Sequence, residues 1–136
     1  MTIPRFAAVT AVTASLLLAL TLPPTGAQAA TPAEMLAGYT TQAGAAAQAA
    51  RGQQLFTSRH GRDWSCSSCH GATPVQPGQH ASTGKAIEAL APAANSQRFT
   101  DAAKTEKWFR RNCNDVLGRE CNAGEKADVL AWLMKL

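Results

Sequence analysis

Cys66-Ser67-Ser68-Cys69-His70 constrains this chain more than any other feature of its sequence. Two thiols three positions apart can each add to a vinyl group on one edge of a porphyrin. The residue that follows, His70, then lies under the iron as its proximal ligand. The same five residues also suit a zinc site or a dithiol redox site. The surrounding chain decides among the three.

Arg5 precedes a largely apolar stretch, Phe6 to Leu22, which runs into Pro23-Pro24 and then Ala27-Gln28-Ala29. A positive start, an apolar middle and a small-residue A-x-A tail have the layout of a secretory signal peptide. Residues 1–29 are therefore expected to be a cleaved leader. Residues 30–136 are expected to form one monohaem cytochrome c domain of about 107 residues, exported to the periplasm and not spanning a membrane. An uncleaved membrane anchor is the alternative. Zinc-ribbon and thioredoxin-type sites belong mainly to reducing compartments, and the latter also needs a βαβ pattern that the sequence lacks. Covalent attachment of one haem c is the reading that survives. Without the leader the chain has 12 Lys and Arg against 9 Asp and Glu, a formal +3 that two haem propionates would nearly cancel. Its basic residues are scattered rather than striped with aromatics, which argues against nucleic-acid binding.

The expected architecture is all-α and cytochrome c-like. Pro32 to about Thr57 is rich in alanine and predicts helix, with Thr31 as cap, Pro32 in the first turn and a weak point at Gly38 or Gly44. In its second piece, Ala46 to Ser58, Gly52 and Phe56 share a face at i, i+4. Gly124 to Leu136 predicts a last helix, capped by Asn122, with Val129, Trp132, Leu133 and Leu136 as an apolar stripe. These terminal helices are expected to cross where Gly52 allows close approach. Gly71 to Gln97 reads as a Pro- and Gly-rich loop with one short helix at Lys85 to Leu90 and no strand; wrapping a haem would explain its length.

A second axial ligand is harder to find. Met35 sits in the first helix and Met134 on the last, and neither lies in a loop able to reach across a haem. His80 lies in the Pro/Gly loop and reads as a solvated histidine or a rival ligand. His60 reads as exposed. A helix starting at Asp101, capped by Thr100, carries Thr105, Trp108, Phe109 and Asn112 on one face, with Lys104, Lys107, Arg110 and Arg111 on the other. Asn112 thus points inward beside Trp108, where a buried amide costs on the order of 1–3 kcal/mol unless it finds a partner. It is either a helix-end hydrogen-bonding group or a ligand. Two thiols remain, Cys113 and Cys121. On one continuous helix they would stand about 12 Å apart, so pairing needs a turn, for which Gly118 is placed. In an oxidising compartment they are expected to pair; two free thiols are the alternative.

The motif Cys66–His70, the loop Thr83-Gly84-Lys85, the segment Arg98-Phe99-Thr100-Asp101, the run Glu106 to Asn114 and Gly118-Arg119-Glu120-Cys121 together resemble the sphaeroides haem protein family. Members are small monohaem cytochromes c of high-spin type, and the likeness covers nearly the whole chain after the leader. The resemblance implies haem attachment at Cys66 and Cys69, His70 on the iron, Asn112 as the ligand of ferric iron, and a Cys113–Cys121 disulfide. Trp108, Phe109 and Phe56 are candidates to pack against the haem. A related group of cytochromes has histidine as its detachable ligand; here the position is asparagine. His60, Arg62 and Trp64, before the motif, depart from the family pattern.

An amide oxygen is a hard, weak donor, better suited to Fe(III) than to Fe(II). Reduction is therefore expected to release Asn112 and open a place for O2, NO or CO. Three functions follow. The first is a redox-gated haem protein taking electrons from another cytochrome, by resemblance a dihaem cytochrome c. The second is a simple shuttle with two permanent ligands, His70 plus Asn112 or His80. The third is an oxidase- or peroxidase-like enzyme, for which no substrate motif is readable. A monomer is expected, with Lys104, Lys107, Arg110 and Arg111 as the docking face for the redox partner.

Overall fold

Thr31 begins the first helix by a reciprocal cap: its hydroxyl accepts the Glu34 N–H at 3.2 Å while the Glu34 carboxylate accepts the Thr31 N–H at 2.8 Å. The helix α1, Pro32–Ala43, follows. The computed structural model describes residues 29–136. The expected leader, apart from Ala29, lies outside the described residues. Gly44 ends α1 with φ +63°, a left-handed conformation that a side chain disfavours, so the break falls there and Gly38 is an ordinary helical residue. The next helix, α2, is Ala49–Thr57, three residues shorter at its start than the alanine content suggests.

Phe56 of α2 and Val129, Trp132 and Leu133 of the last helix, α5 (Ala123–Leu133), form one buried cluster. Phe56 and Trp132 meet with ring centroids 5.0 Å apart. A Cβ on Gly52 would overlap the Asp128 carbonyl, which is why a residue without one stands at the crossing. Here the sequence expectation holds: terminal helices cross at Gly52/Phe56 against Val129/Trp132/Leu133. Asp128, unremarkable in the sequence, is a buried charge. Its carboxylate accepts the Gln48 N–H at 2.6 Å, at the start of α2, and the Arg51 guanidinium beside it. A buried carboxylate is tolerable only when paired in this way. A second cluster, Tyr39, Ala127 and Leu130, joins α1 to the other side of α5.

Between α2 and α5 lie α3, Ser67–His70, and α4, Ala102–Leu117. Two corrections apply to the intervening chain. Lys85 to Leu90 is not helical: Ala86–Ile87 (β2) pairs antiparallel with Gly78–Gln79 (β1), Gly78 opposite Ile87. Pairing with the segment just before it satisfies backbone groups that a helix of one turn would leave open. The cap of α4 is Asp101, which accepts the Lys104 N–H at 2.9 Å, whereas the Thr100 hydroxyl donates back to the Gln97 carbonyl. The last helix ends at Leu133, three residues earlier than expected, and Asn122 caps it in a box with Glu125. Among the described residues no helix is long and apolar enough to cross a membrane.

Candidate functional site

The motif forms a single turn built on serines. Ser65 is buried; its N–H donates to Ser68 Oγ at 3.0 Å and its hydroxyl meets Ser67 Oγ at 2.8 Å. The turn then closes with the His70 N–H on the Cys66 carbonyl at 3.1 Å. Cys66 and Cys69 are both unpaired and half-buried. Burial pushes the Cys66 thiol up to about 11. The following loop folds back on the motif. Gly78 passes so close that a Cβ would overlap the Cys69 carbonyl, and the Ala81 N–H points at Cys69 Sγ at 3.3 Å.

His70 stands beside Phe56, ring centroids 6.1 Å apart, so the helix crossing buttresses it directly. Burial first, and then the positive charge of Arg98, lower its pKa to about 4. The ring is therefore neutral at physiological pH, the form in which imidazole binds a metal. Arg98, which patterning alone did not single out, is fixed by donating from Nε to the Ala89 carbonyl and from Nη2 to the Glu88 carbonyl, each at 2.9 Å.

A cavity of about 400 Å³ lies against the motif, lined by Ser67 to Gly71, Gln76 to Ala81 and nearby loop residues. His80 lines it; Trp108, Phe109 and Asn112 do not. His80 is half-buried rather than solvated, packing edge-on to Trp64 at 6.5 Å. Its Nδ1 accepts the Thr83 N–H at 3.4 Å and lies 3.2 Å from Ser82 Oγ, so the local turn engages that ring nitrogen. His60 is also half-buried, with Nε2 at 2.9 Å from the Leu55 carbonyl. Met35 packs on the Tyr39 cluster, and Met134 is exposed on the terminal helix.

The α4 face divides unevenly. Thr105 is buried, while Phe109 is half-buried against Tyr39 at 5.8 Å and Phe99 at 6.4 Å. Trp108, expected to point inward, is 42% exposed with the Arg111 guanidinium over its ring at 5.6 Å. Asn112, one turn on, is half-buried, and its side chain makes no hydrogen bond among the described residues. Asn114 by contrast turns its amide back along the helix, donating to the Arg110 carbonyl at 2.7 Å. Cys113 and Cys121 come together across the Gly118 turn, Cα atoms 5.6 Å apart and sulfurs within bonding reach.

These residues fit a covalent haem. Two unpaired thiols and a neutral imidazole stand on one turn, and an indole face and an unpartnered amide are presented on a separate helix. Terminal helices crossing above such a turn define a c-type cytochrome. Comparison agrees. The family described as a domain of unknown function (DUF1924) matches residues 42–133. The cytochrome c-type protein SHP of Cereibacter sphaeroides is 54% identical over 106 residues, 75% of this chain and 81% of that protein. Cytochrome c'' of Methylophilus methylotrophus is 43% identical over 79 residues, 58% of this chain and 55% of that protein. The solved structure of oxidised SHP, described as an oxygen-binding cytochrome c, superposes with a TM-score of 0.75 at 51% identity, covering 79% of this chain and 99% of that one. Oxidised cytochrome c'' gives a TM-score of 0.69 at 34% identity, over 76% and 92% of the two chains. The chain belongs to the DUF1924 family and, with these relatives, to the SHP-like cytochromes c, which carry one covalent haem c.

Proposed function

We propose that this protein is a periplasmic cytochrome that accepts an electron from another cytochrome, a dihaem cytochrome c, and that its reduction releases Asn112 to make room for O2, NO or CO. The observation that carries the proposal is the Asn112 amide, half-buried yet without a hydrogen bond among the described residues, while the Asn114 amide turns back to the Arg110 carbonyl. An amide that no group of the protein engages is free to offer its oxygen to a metal ion.

Cys66 and Cys69 hold the group, His70 is the permanent ligand, and Phe56 fixes the His70 ring from the core side. Trp108 and Phe109 supply apolar surface on the Asn112 side. Haem c, when bound, would supply a one-electron couple and an iron able to take a further ligand. The amide oxygen of Asn112 is a weak neutral donor that suits the ferric state and competes poorly in the ferrous one. Cys113 and Cys121 form a disulfide that restrains the backbone next to Asn112. Lys104, Lys107, Arg110 and Arg111, all exposed, form the docking face for the donor. The description of the SHP structure as oxygen-binding supports a diatomic ligand.

Optical spectra of ferric, ferrous and CO-treated ferrous protein test the reading, together with Asn112→Ala. Reduced wild type should bind CO, and Asn112→Ala should change the ferric spectrum. An unchanged ferric spectrum in the variant removes Asn112 as ligand. A reduced protein indifferent to CO and NO leaves a simple shuttle with two permanent ligands, and peroxide turnover would instead indicate an enzyme.

A further inference from the structure

We infer that Arg62 is a positioning residue for Asn112: it fastens the loop before the haem motif to the end of α4 and so sets how readily the amide yields its place. The inference rests on the proposed role of Asn112. Arg62 lies four residues before Cys66, on a loop pinned on either side by His60 to the Leu55 carbonyl and by Trp64 to His80. Its Nη2 donates to the Asn114 carbonyl at 3.3 Å. That oxygen belongs to the last turn of α4, at the negative end of the helix dipole; it already accepts the Gly118 N–H at 3.1 Å, and Arg62 takes its second lone pair.

Gly118 makes the approach feasible. A Cβ there would lie 2.9 Å from Nη2 and 3.2 Å from Nε of Arg62, so the bare helix cap leaves the space that the guanidinium fills. Asn114 is two residues from Asn112, and Cys113 stands between them. The turn carrying the amide is thus tied on one side to Cys121 and on the other to the loop that leads into the haem thiols. If Asn112 withdraws by movement of this turn, the Arg62 hydrogen bond must stretch or break. Arg62 therefore holds the amide-bound arrangement in favour.

The apparent affinity for an incoming ligand falls in proportion to how rarely Asn112 stands aside. An exposed, charge-assisted hydrogen bond is worth roughly a threefold to fivefold change in that population. Titration of the ferric holoprotein with imidazole at fixed pH and ionic strength reads it directly. Arg62→Met should bind imidazole about threefold to fivefold tighter than wild type, and Arg62→Lys, which keeps a charged donor, should lie nearer wild type. Asn112→Ala should bind tightest, and adding Arg62→Met to it should change nothing more, because the two act through one step. Arg62→Met with wild-type affinity, while Asn112→Ala is tighter, overturns the inference and leaves the ligand assignment standing. An equal gain from Arg62→Met in the Asn112→Ala background also overturns it, since the effect would then be general access or charge. Unchanged affinity in Asn112→Ala itself removes the ligand assignment beneath both.

Discussion

The two ends of the chain and the helix between them are held in different ways. The outer helices α1 and α2 lie directly on α5, interlocking around Phe56, Tyr39, Leu130, Trp132 and Leu133. Helix α4 makes no comparably close helix-on-helix packing. It is attached by separate links: Phe109 between Tyr39 and Phe99, Glu106 to Lys126 at 2.7 Å, Arg62 to Asn114, and Cys113 to Cys121. Phe56, which buttresses the permanent-ligand candidate His70, belongs to the first region; the detachable candidate Asn112 belongs to the second. Close packing resists small displacements, whereas discrete links at one end of a helix let its turn shift without opening the core.

Damage to the first region should therefore be global. Trp132→Ala removes the indole that fills the crossing and should cost roughly 3–5 kcal/mol in denaturant unfolding, with the His70 side of the haem spectrum lost in the same transition. Retention of stability within about 1 kcal/mol would mean the core does not depend on the crossing. Damage to the second should be smaller and separable. Replacing Cys113 and Cys121 by serine should cost about 2–3 kcal/mol, by freeing the unfolded chain, while making Asn112 easier to displace by imidazole. If stability falls but imidazole affinity does not change, the disulfide serves the fold alone.

The smallest effect is expected at the junction between the regions. Glu125 has its pKa lowered, first by the Arg119 guanidinium, whose two nitrogens reach it at 2.6 and 2.8 Å. A carboxyl with a depressed folded-state pKa contributes stability above its unfolded value, about 4.3, and loses it as the pH falls through the lower folded value. Arg119→Ala should therefore lower stability by under about 1 kcal/mol at neutral pH, and the gap from wild type should close as the pH drops below 4. A gap that persists in acid would point to packing by Arg119 rather than charge.

Much of the first region was legible in the sequence, because helical periodicity records faces: Gly52, Phe56, Val129, Trp132 and Leu133 were placed by spacing, and the Cys66–His70 turn by composition. Asp128 was not legible, since a single acid on a helix looks like surface until Gln48 and Arg51 are brought to it across the fold. The β1–β2 ribbon escaped notice because two-residue strands carry no alternation to detect. On α4, spacing put Trp108 and Asn112 on one face and could not tell that Arg111 covers an exposed indole. Arg62 acts through a carbonyl oxygen 52 residues away and Arg98 through two that lie nine and ten residues back in a loop, and no periodic pattern encodes such partners. His60 was read as exposed, and His80 as solvated or a rival ligand, for the same reason.

The crossing of α2 over α5 joins segments that lie on opposite sides of the Cys66–His70 turn. A chain made from its N-terminus onward cannot close that knot of side chains until α5 has been made. Until then the Cys66–His70 turn lacks the closure that the crossing gives it. Burial of Phe56 against Trp132 is then the event that shuts the door behind it.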